Sequence, residues 1–390
     1  MTGNGRAAAV VGIGYSPITR GGNPAVERLT ITACRNAIDD AGLKSANIDG
    51  IFDYAFGFDS PDSHYMQQAL GIPDLAAYAD IFPTGPSGLA GALAAVMAVS
   101  SGACETALVY RAITQEAGHT GTARGGGGGG PALTGMGASM QFTMPYGHFP
   151  IIPTIALMMR RRMEELGGSI EDYGYISVNA RKWAAMNDRA VLRDPVSMED
   201  YLNSRVLAEP LHLFDCDYPV SGACAAIITT AERARDLPKK PVIVDSTSYS
   251  SGQRADWLQE EDFMFGGTRR CADRLWSRAS LTPKDVDLME LYDGFTHITI
   301  SWIEALGFCG IGEIGGFLDK GRRIGPGGEL PLNTHGGQLT EGRLHGLAHL
   351  LEATAQLRGE CGERQVPDAR VAVVTNGHGP QCGAMLLRTD

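Results

Sequence analysis

The stretch Ser280-Leu-Thr-Pro-Lys-Asp-Val-Asp-Leu-Met-Glu-Leu-Tyr292 repeats, at one constant offset, the earlier stretch Gly42-Leu-Lys-Ser-Ala-Asn-Ile-Asp-Gly-Ile-Phe-Asp-Tyr54. The offset aligns Ala41 with Ala279, Leu43 with Leu281, Ile48-Asp49 with Val286-Asp287, and Tyr54 with Tyr292. The flanks repeat too. An apolar run of strand length, Ala7–Gly14, leads into a helix pattern from Ala25 to Ala41, and the strand Lys240–Asp245 leads into the helix Arg269–Ala279. Each half continues with an apolar helix and a strand: Leu89–Val99 with Ala107–Tyr110, and Leu344–Leu357 with Arg370–Thr375. A strand, helix, strand order that occurs twice predicts an α/β duplication: parallel-rich sheets covered by helices, in two halves related by a pseudo-twofold. Helices 89–99 and 344–357 are apolar on almost every face, which places them between two sheets rather than on the surface.

The boundary between halves is expected at Lys239-Lys240-Pro241, giving 1–238 and 239–390, with a loop-domain insertion at about 113–206 in the first half. Six consecutive glycines, Gly125–Gly130, read as a mobile loop, because no side chain restricts their backbone. Beyond them, Met140–Pro150 and the helix Ile151–Leu166 form an apolar, Met-rich segment whose plainest reading is core and subunit contact.

At 390 residues, 44% hydrophobic and 20% charged, the chain can bury a large core. A net charge of -11, with no basic run longer than Arg160-Arg-Arg162, argues against a nucleic-acid footprint. The eight cysteines form no Cys-x-x-Cys pair and read as reduced thiols of a cytoplasmic protein, without a disulfide framework or a zinc site. The N-terminus carries no basic and apolar export signal, and Ser100, Ser101, Gly102 and Glu105 interrupt the apolar run 89–109 before it could span a bilayer. Val10-Val-Gly-Ile-Gly-Tyr-Ser-Pro17 has Pro17 where a dinucleotide loop needs its third glycine, so it reads as a strand end and tight turn.

Three segments carry candidate chemistry: Leu291-Tyr-Asp-Gly-Phe295, Asn333-Thr-His-Gly-Gly-Gln-Leu-Thr-Glu-Gly-Arg-Leu-His-Gly346 and Asn376-Gly-His-Gly-Pro-Gln-Cys-Gly383. The second resembles the Asn-Pro-x-Gly-Gly-x-x-x-x-Gly-His-Pro-x-Gly loop of the thiolase superfamily, and the resemblance extends over essentially the whole chain. Registering the glycines puts Arg343 where a thiolase has its catalytic histidine. A guanidinium keeps its proton at any working pH and cannot be that base. The turn corresponding to the acylated cysteine, Phe82-Pro-Thr-Gly-Pro-Ser-Gly88, holds no thiol. At the second thiolase cysteine the best register puts His378 or Gly379, with Cys382 a few residues late.

In the sterol-carrier-protein-like branch the motif at 292 starts with histidine, whereas Tyr292-Asp-Gly-Phe295 resembles the bacterial steroid side-chain aldolases, which run a retro-aldol cleavage instead of Claisen chemistry. That resemblance implies a β-hydroxyacyl-CoA substrate with a bulky acyl group, for which the Met-rich insertion would be an adaptable wall. Coenzyme A enters as the substrate thioester, with no covalently bound cofactor. The resemblance further implies a homodimer and a small partner protein of OB-fold and zinc-ribbon type. Tyr292 is the candidate base, provided a neighbouring cation or donor lowers its pKa, and Arg343 and His345 are candidates for that. These aldolases tend to carry a second tyrosine at the position of Arg343. The arginine is therefore open to three readings: stabilising an enolate, holding a carboxylate or phosphate, or making a structural salt bridge. Among His335, His345 and His378, one or two are expected to be structural ties. A non-catalytic thiolase-like scaffold or acyl carrier is the second reading, since loss of the thiolase residues suits it equally.

Overall fold

The computed structural model describes residues 6–22, 24–55, 59–82, 88–114, 142–148, 151–252, 254 and 257–389. The glycine run 125–130 and the turn at 83–87 lie outside them. The first half runs β1 (Ala8–Tyr15), α1 (Val26–Asp40), β2 (Gly50–Tyr54), α2 (Ser63–Leu70), β3 (Ala77–Ile81), α3 (Gly88–Ser101) and β4 (Thr106–Ile113). Helices α4 (Ile151–Leu166) and α5 (Ile170–Ala185) follow before β5 (Gly222–Thr230) returns to the sheet. The second half runs β6 (Val242–Ser251), α6 (Thr268–Arg278), β7 (Leu288–Glu290), α7 (Thr296–Ala305), α8 (Gly337–Thr340), α9 (Leu347–Arg358), β8 (Val371–His378) and β9 (Gln381–Arg388).

One nine-stranded sheet replaces the two that were expected, in the order β3-β2-β4-β5-β1-β6-β9-β8-β7. Among the described residues, the strands of its two arms pair only where Ala9 pairs with Ile243 and Val10 with Val242. Each arm has the same order outward from this junction, and Leu332, bridged to Met289, stands where β3 stands in the other arm. The sheet is mixed rather than parallel-rich. β5 and β9 enter antiparallel because the first returns from the insertion and the second from a tight hairpin, so neither arrives by a helical crossover.

The repeat is also chemical. Asp49 accepts the N–H of Glu105 and of Thr106 at 2.9 and 2.7 Å. Its counterpart Asp287 accepts those of Arg370 and Val371 at 2.8 and 2.9 Å. Each aspartate thus ties the start of its own repeat's β2 or β7 to the start of the neighbouring β4 or β8.

Helices α3 and α9 touch strands of both arms and each other, so they lie between the arms as their all-round apolarity requires. The core they form joins Leu89, Leu93, Val96 and Val99 to Leu347, Leu350, Leu351 and Leu357 and to side chains from both arms. Helix α9 starts at Leu347 and not at Leu344, because His345 and Gly346 adopt left-handed φ values of 55° and 93°. A second core packs α4 and α5 of the insertion on the outer face of the second arm. Among the described residues no helix is long and apolar enough to cross a membrane, and no His, Cys, Asp or Glu cluster could hold a metal ion.

Candidate active site

The loop from Leu344 to Gly346 passes the first turn of α3 and is pinned to it from both halves of the chain. The His345 carbonyl accepts the Gly88 N–H at 3.0 Å and the Asn376 amide at 2.9 Å, while Asn376 Oδ1 accepts the Leu89 N–H at 3.2 Å. A Cβ on Gly88 would lie 2.1 Å from that carbonyl, and one on Gly346 2.1 Å from Asn376 Nδ2, so glycine is required at both.

Beneath the loop sits a buried charge network. His335 Nδ1 lies 3.0 Å from Glu290 Oε2, off the line of a good hydrogen bond. Glu352 is held by Arg364 at 2.9 and 3.0 Å and by Arg189 at 3.5 Å. Arg189 also reaches Glu341 at 3.0 Å. Burial opposes a charge on His335, but Glu290 and Glu341 win and raise it to about 9. Burial likewise opposes the Glu352 charge, yet Arg364 brings that carboxyl down to about 2. His335 is therefore a buried cation held by the carboxylates of Glu290 and Glu341.

Tyr292 stands two residues beyond β7, 2% exposed, with its N–H on Thr375 Oγ1 at 3.0 Å. Burial and the carboxylate of Asp217 push its phenol well above the usual value, against a smaller downward pull from Gln338 and Arg343. The expected lowering does not occur, and Tyr292 rests as a protonated phenol. Arg343 Nη1 lies 3.3 Å from Asp217 Oδ1.

His345 is no cation either. Arg111, wholly buried on β4, pairs with Asp59 at 2.7 and 2.6 Å and points Nη2 at His345 Nδ1, 2.8 Å away. A guanidinium only donates, so Nδ1 accepts and the imidazole proton sits on Nε2. Burial, then Arg111 and Arg343, hold His345 well below the usual histidine range, leaving it a neutral donor.

The fourth candidate lies apart. His378 Nε2 meets the Met264 carbonyl at 3.2 Å, and its ring stacks on Trp257 with centroids 5.5 Å apart. Burial lowers its pKa to about 4. No contact among the described residues joins it to Tyr292, Arg343 or His345, because it turns toward His297, whose Nε2 meets the same Met264 carbonyl at 3.2 Å.

Three site residues carry no local signature in the sequence. Asp217 comes from the end of the insertion and Arg111 from an apolar strand. Tyr54 lies under the Arg111 guanidinium at 4.9 Å and edge-on to His345 at 5.8 Å. Tyr54 alone had a signal, since the repeat aligns it with Tyr292. Cys216, beside Asp217, is held as a thiol by burial and the neighbouring aspartates.

The thiolase C-terminal domain-like family matches residues 250–386. Over 390 aligned residues the chain is 34% identical to the 17-hydroxy-3-oxo-4-pregnene-20-carboxyl-CoA lyase of Mycobacterium tuberculosis, covering 97% of this chain and 98% of that one. The chain belongs to the thiolase-like aldolases. It is accordingly a lyase. This aldolase is also 32% identical over 392 residues to the steroid side-chain-cleaving aldolase of Thermomonospora curvata, with 98% of each covered. The solved structure of the Ltp2-ChsH2(DUF35) aldolase is 31% identical and covers 99% of each chain at a TM-score of 0.89.

Proposed function

We propose that this aldolase cleaves the bond between Cα and Cβ of a β-hydroxyacyl-CoA whose Cβ lies in a steroid ring, releasing a ring ketone and a short acyl-CoA. The observation that carries this reading is the protonated phenol of Tyr292 grouped with Arg343 and the Nε2–H of His345, three donors of which Arg343 stands where a thiolase has its catalytic histidine. Cleavage sends the electron pair of the broken bond to Cα and the thioester oxygen. Buried donors fixed in advance favour that charge without reorganising. Arg343 supplies charge, His345 a neutral hydrogen bond, and Tyr292 the proton that Cα takes up.

The test is incubation with 17-hydroxy-3-oxo-4-pregnene-20-carboxyl-CoA, the thioester named for its relative. Breaking the bond at the hydroxylated ring carbon must give a 17-ketone and propanoyl-CoA. Propanoyl-CoA is expected from the chain alone or with a DUF35-type partner, the partner suggested by the solved aldolase. Acetyl-CoA should leave the intact mass unchanged, because residues 82–88 offer no thiol to acylate. A stoichiometric adduct and no propanoyl-CoA would return the chain to thiolase chemistry.

The homodimer is also part of this reading. β3 is a sheet edge, with Tyr78 54% and Phe82 52% exposed beside it. An unpaired edge flanked by exposed aromatics suits pairing with a second copy. Sedimentation should show a dimer or a larger complex, and a monomer at micromolar concentration would count against it.

A further inference from the structure

We infer that Asp217 is the proton acceptor of this site, taking the β-hydroxyl proton of the acyl-CoA. The assignment rests on the cleavage reading above and names the one role left without a residue there.

Geometry comes first. Residues 216–218 thread between the two loops that carry Tyr292 and Arg343. Cys216 bridges to Phe295, and the Asp217 N–H donates to the Gly294 carbonyl at 3.1 Å. The Tyr218 N–H donates to Gln338 O at 3.0 Å, and its own carbonyl accepts the Arg343 N–H at 2.9 Å. The backbone of Asp217 is thereby fixed against both loops, and its side chain is 8% exposed.

Its neighbours are otherwise engaged. Asp215 accepts Tyr201 Oη at 2.9 Å, Thr296 Oγ1 at 2.6 Å and the His212 N–H at 2.7 Å. Asp293 accepts the Gln338 N–H at 2.9 Å and His349 Nε2 at 3.0 Å. Asp217 has only the 3.3 Å ion pair with Arg343 among the described residues, so it keeps acceptor capacity that the other two have spent. The other candidate bases fail on geometry or charge: His345 Nδ1 is occupied by Arg111, His378 faces Met264, and Tyr292 is protonated.

Four groups face this carboxyl: Arg343, Asp293, Tyr292 and Cys216. Burial raises it most, Arg343 lowers it and Asp293 raises it, for a value of about 7. A base poised near the working pH combines a useful ionised fraction with useful basicity. The proton count closes. The β-hydroxyl gives its proton to Asp217 as the carbonyl forms, the electron pair of the broken bond becomes the enolate, and Tyr292 protonates Cα. The proton on Asp217 then restores the phenol.

The test is the pH dependence of kcat/KM for the chain with its partner on 17-hydroxy-3-oxo-4-pregnene-20-carboxyl-CoA. A base must be ionised to work, so the wild-type rate should rise with pH through about 7 and then level off. Asp217→Asn should lose about 100- to 10,000-fold in kcat and lose that acid limb, with affinity for the CoA ester nearly kept. A wild type that cleaves beside an Asp217→Asn chain of equal rate and unchanged profile overturns the assignment alone. A wild type that releases no propanoyl-CoA overturns the cleavage reading and this assignment together. If the variant does not fold, the wild-type profile still decides, because a flat kcat/KM between about pH 6 and about pH 8 excludes a base of this kind.

Discussion

Tyr292→Phe lowers turnover by about 100- to 10,000-fold while binding of the CoA ester stays close to wild type. The substitution deletes one hydroxyl and keeps the ring, and the Thr375 contact to Tyr292 is made by the main chain, so the loop retains its anchor. What is lost is the proton that Cα must receive. Steady-state kcat with a separate Kd for a non-cleavable CoA ester reads the two effects independently. Wild-type cleavage by Tyr292→Phe would sink the role assigned here. An equal loss in affinity would make the hydroxyl a binding group instead.

Glu352→Gln destabilises the fold by about 3–5 kcal/mol near pH 6, because Arg364, Arg189 and His335 are left with one negative charge too few in a buried site. The size of the loss depends on pH. His335, raised to about 9, contributes stability that is complete below the usual histidine value near about 6.5 and is lost as pH rises through about 9. Glu352, lowered to about 2, contributes stability that is complete above the usual glutamate value near about 4.3 and is lost as pH falls through about 2. Each contribution is on the order of 3 kcal/mol, and because the two groups attract each other the figures do not add. Denaturant melts of both chains at about pH 6 and about pH 9 should therefore show the gap narrowing at the higher pH. A gap that does not change with pH would mean that His335 is not charged at the lower one.

Much of the architecture was legible because the duplication is written in residues with local jobs. Asp49 and Asp287 tie strand starts in their own repeats, and the apolar helices α3 and α9 had to lie inside. The mixed sheet was not legible, since the direction of β5 depends on where a long insertion returns the chain. Within the site, Tyr292 and Arg343 stood out by their place in glycine-rich loops, and both lie beside Asp217. Their electrostatics could not be read from the sequence. The nearest strong influence on Tyr292 is a carboxylate remote in the chain, and His345 is made neutral by Arg111, which sequence shows only as one residue of an apolar strand. His378 lies apart from Tyr292 for a related reason: its loop returns toward the site, but its side chain is claimed by Met264 and Trp257.

The His345 carbonyl accepts one hydrogen bond from Gly88 and another from Asn376, so the loop is held by both copies of the ancestral unit at once. Either unit could supply strands, a helix and half of a core, but neither contains a complete set of groups around Tyr292. Asp217 and Arg111 come from the first half, whereas Tyr292 and Arg343 come from the second. The groups around Tyr292 are complete only where the two units meet. A substitution that shifts either unit against the other would therefore open the joint that holds this loop.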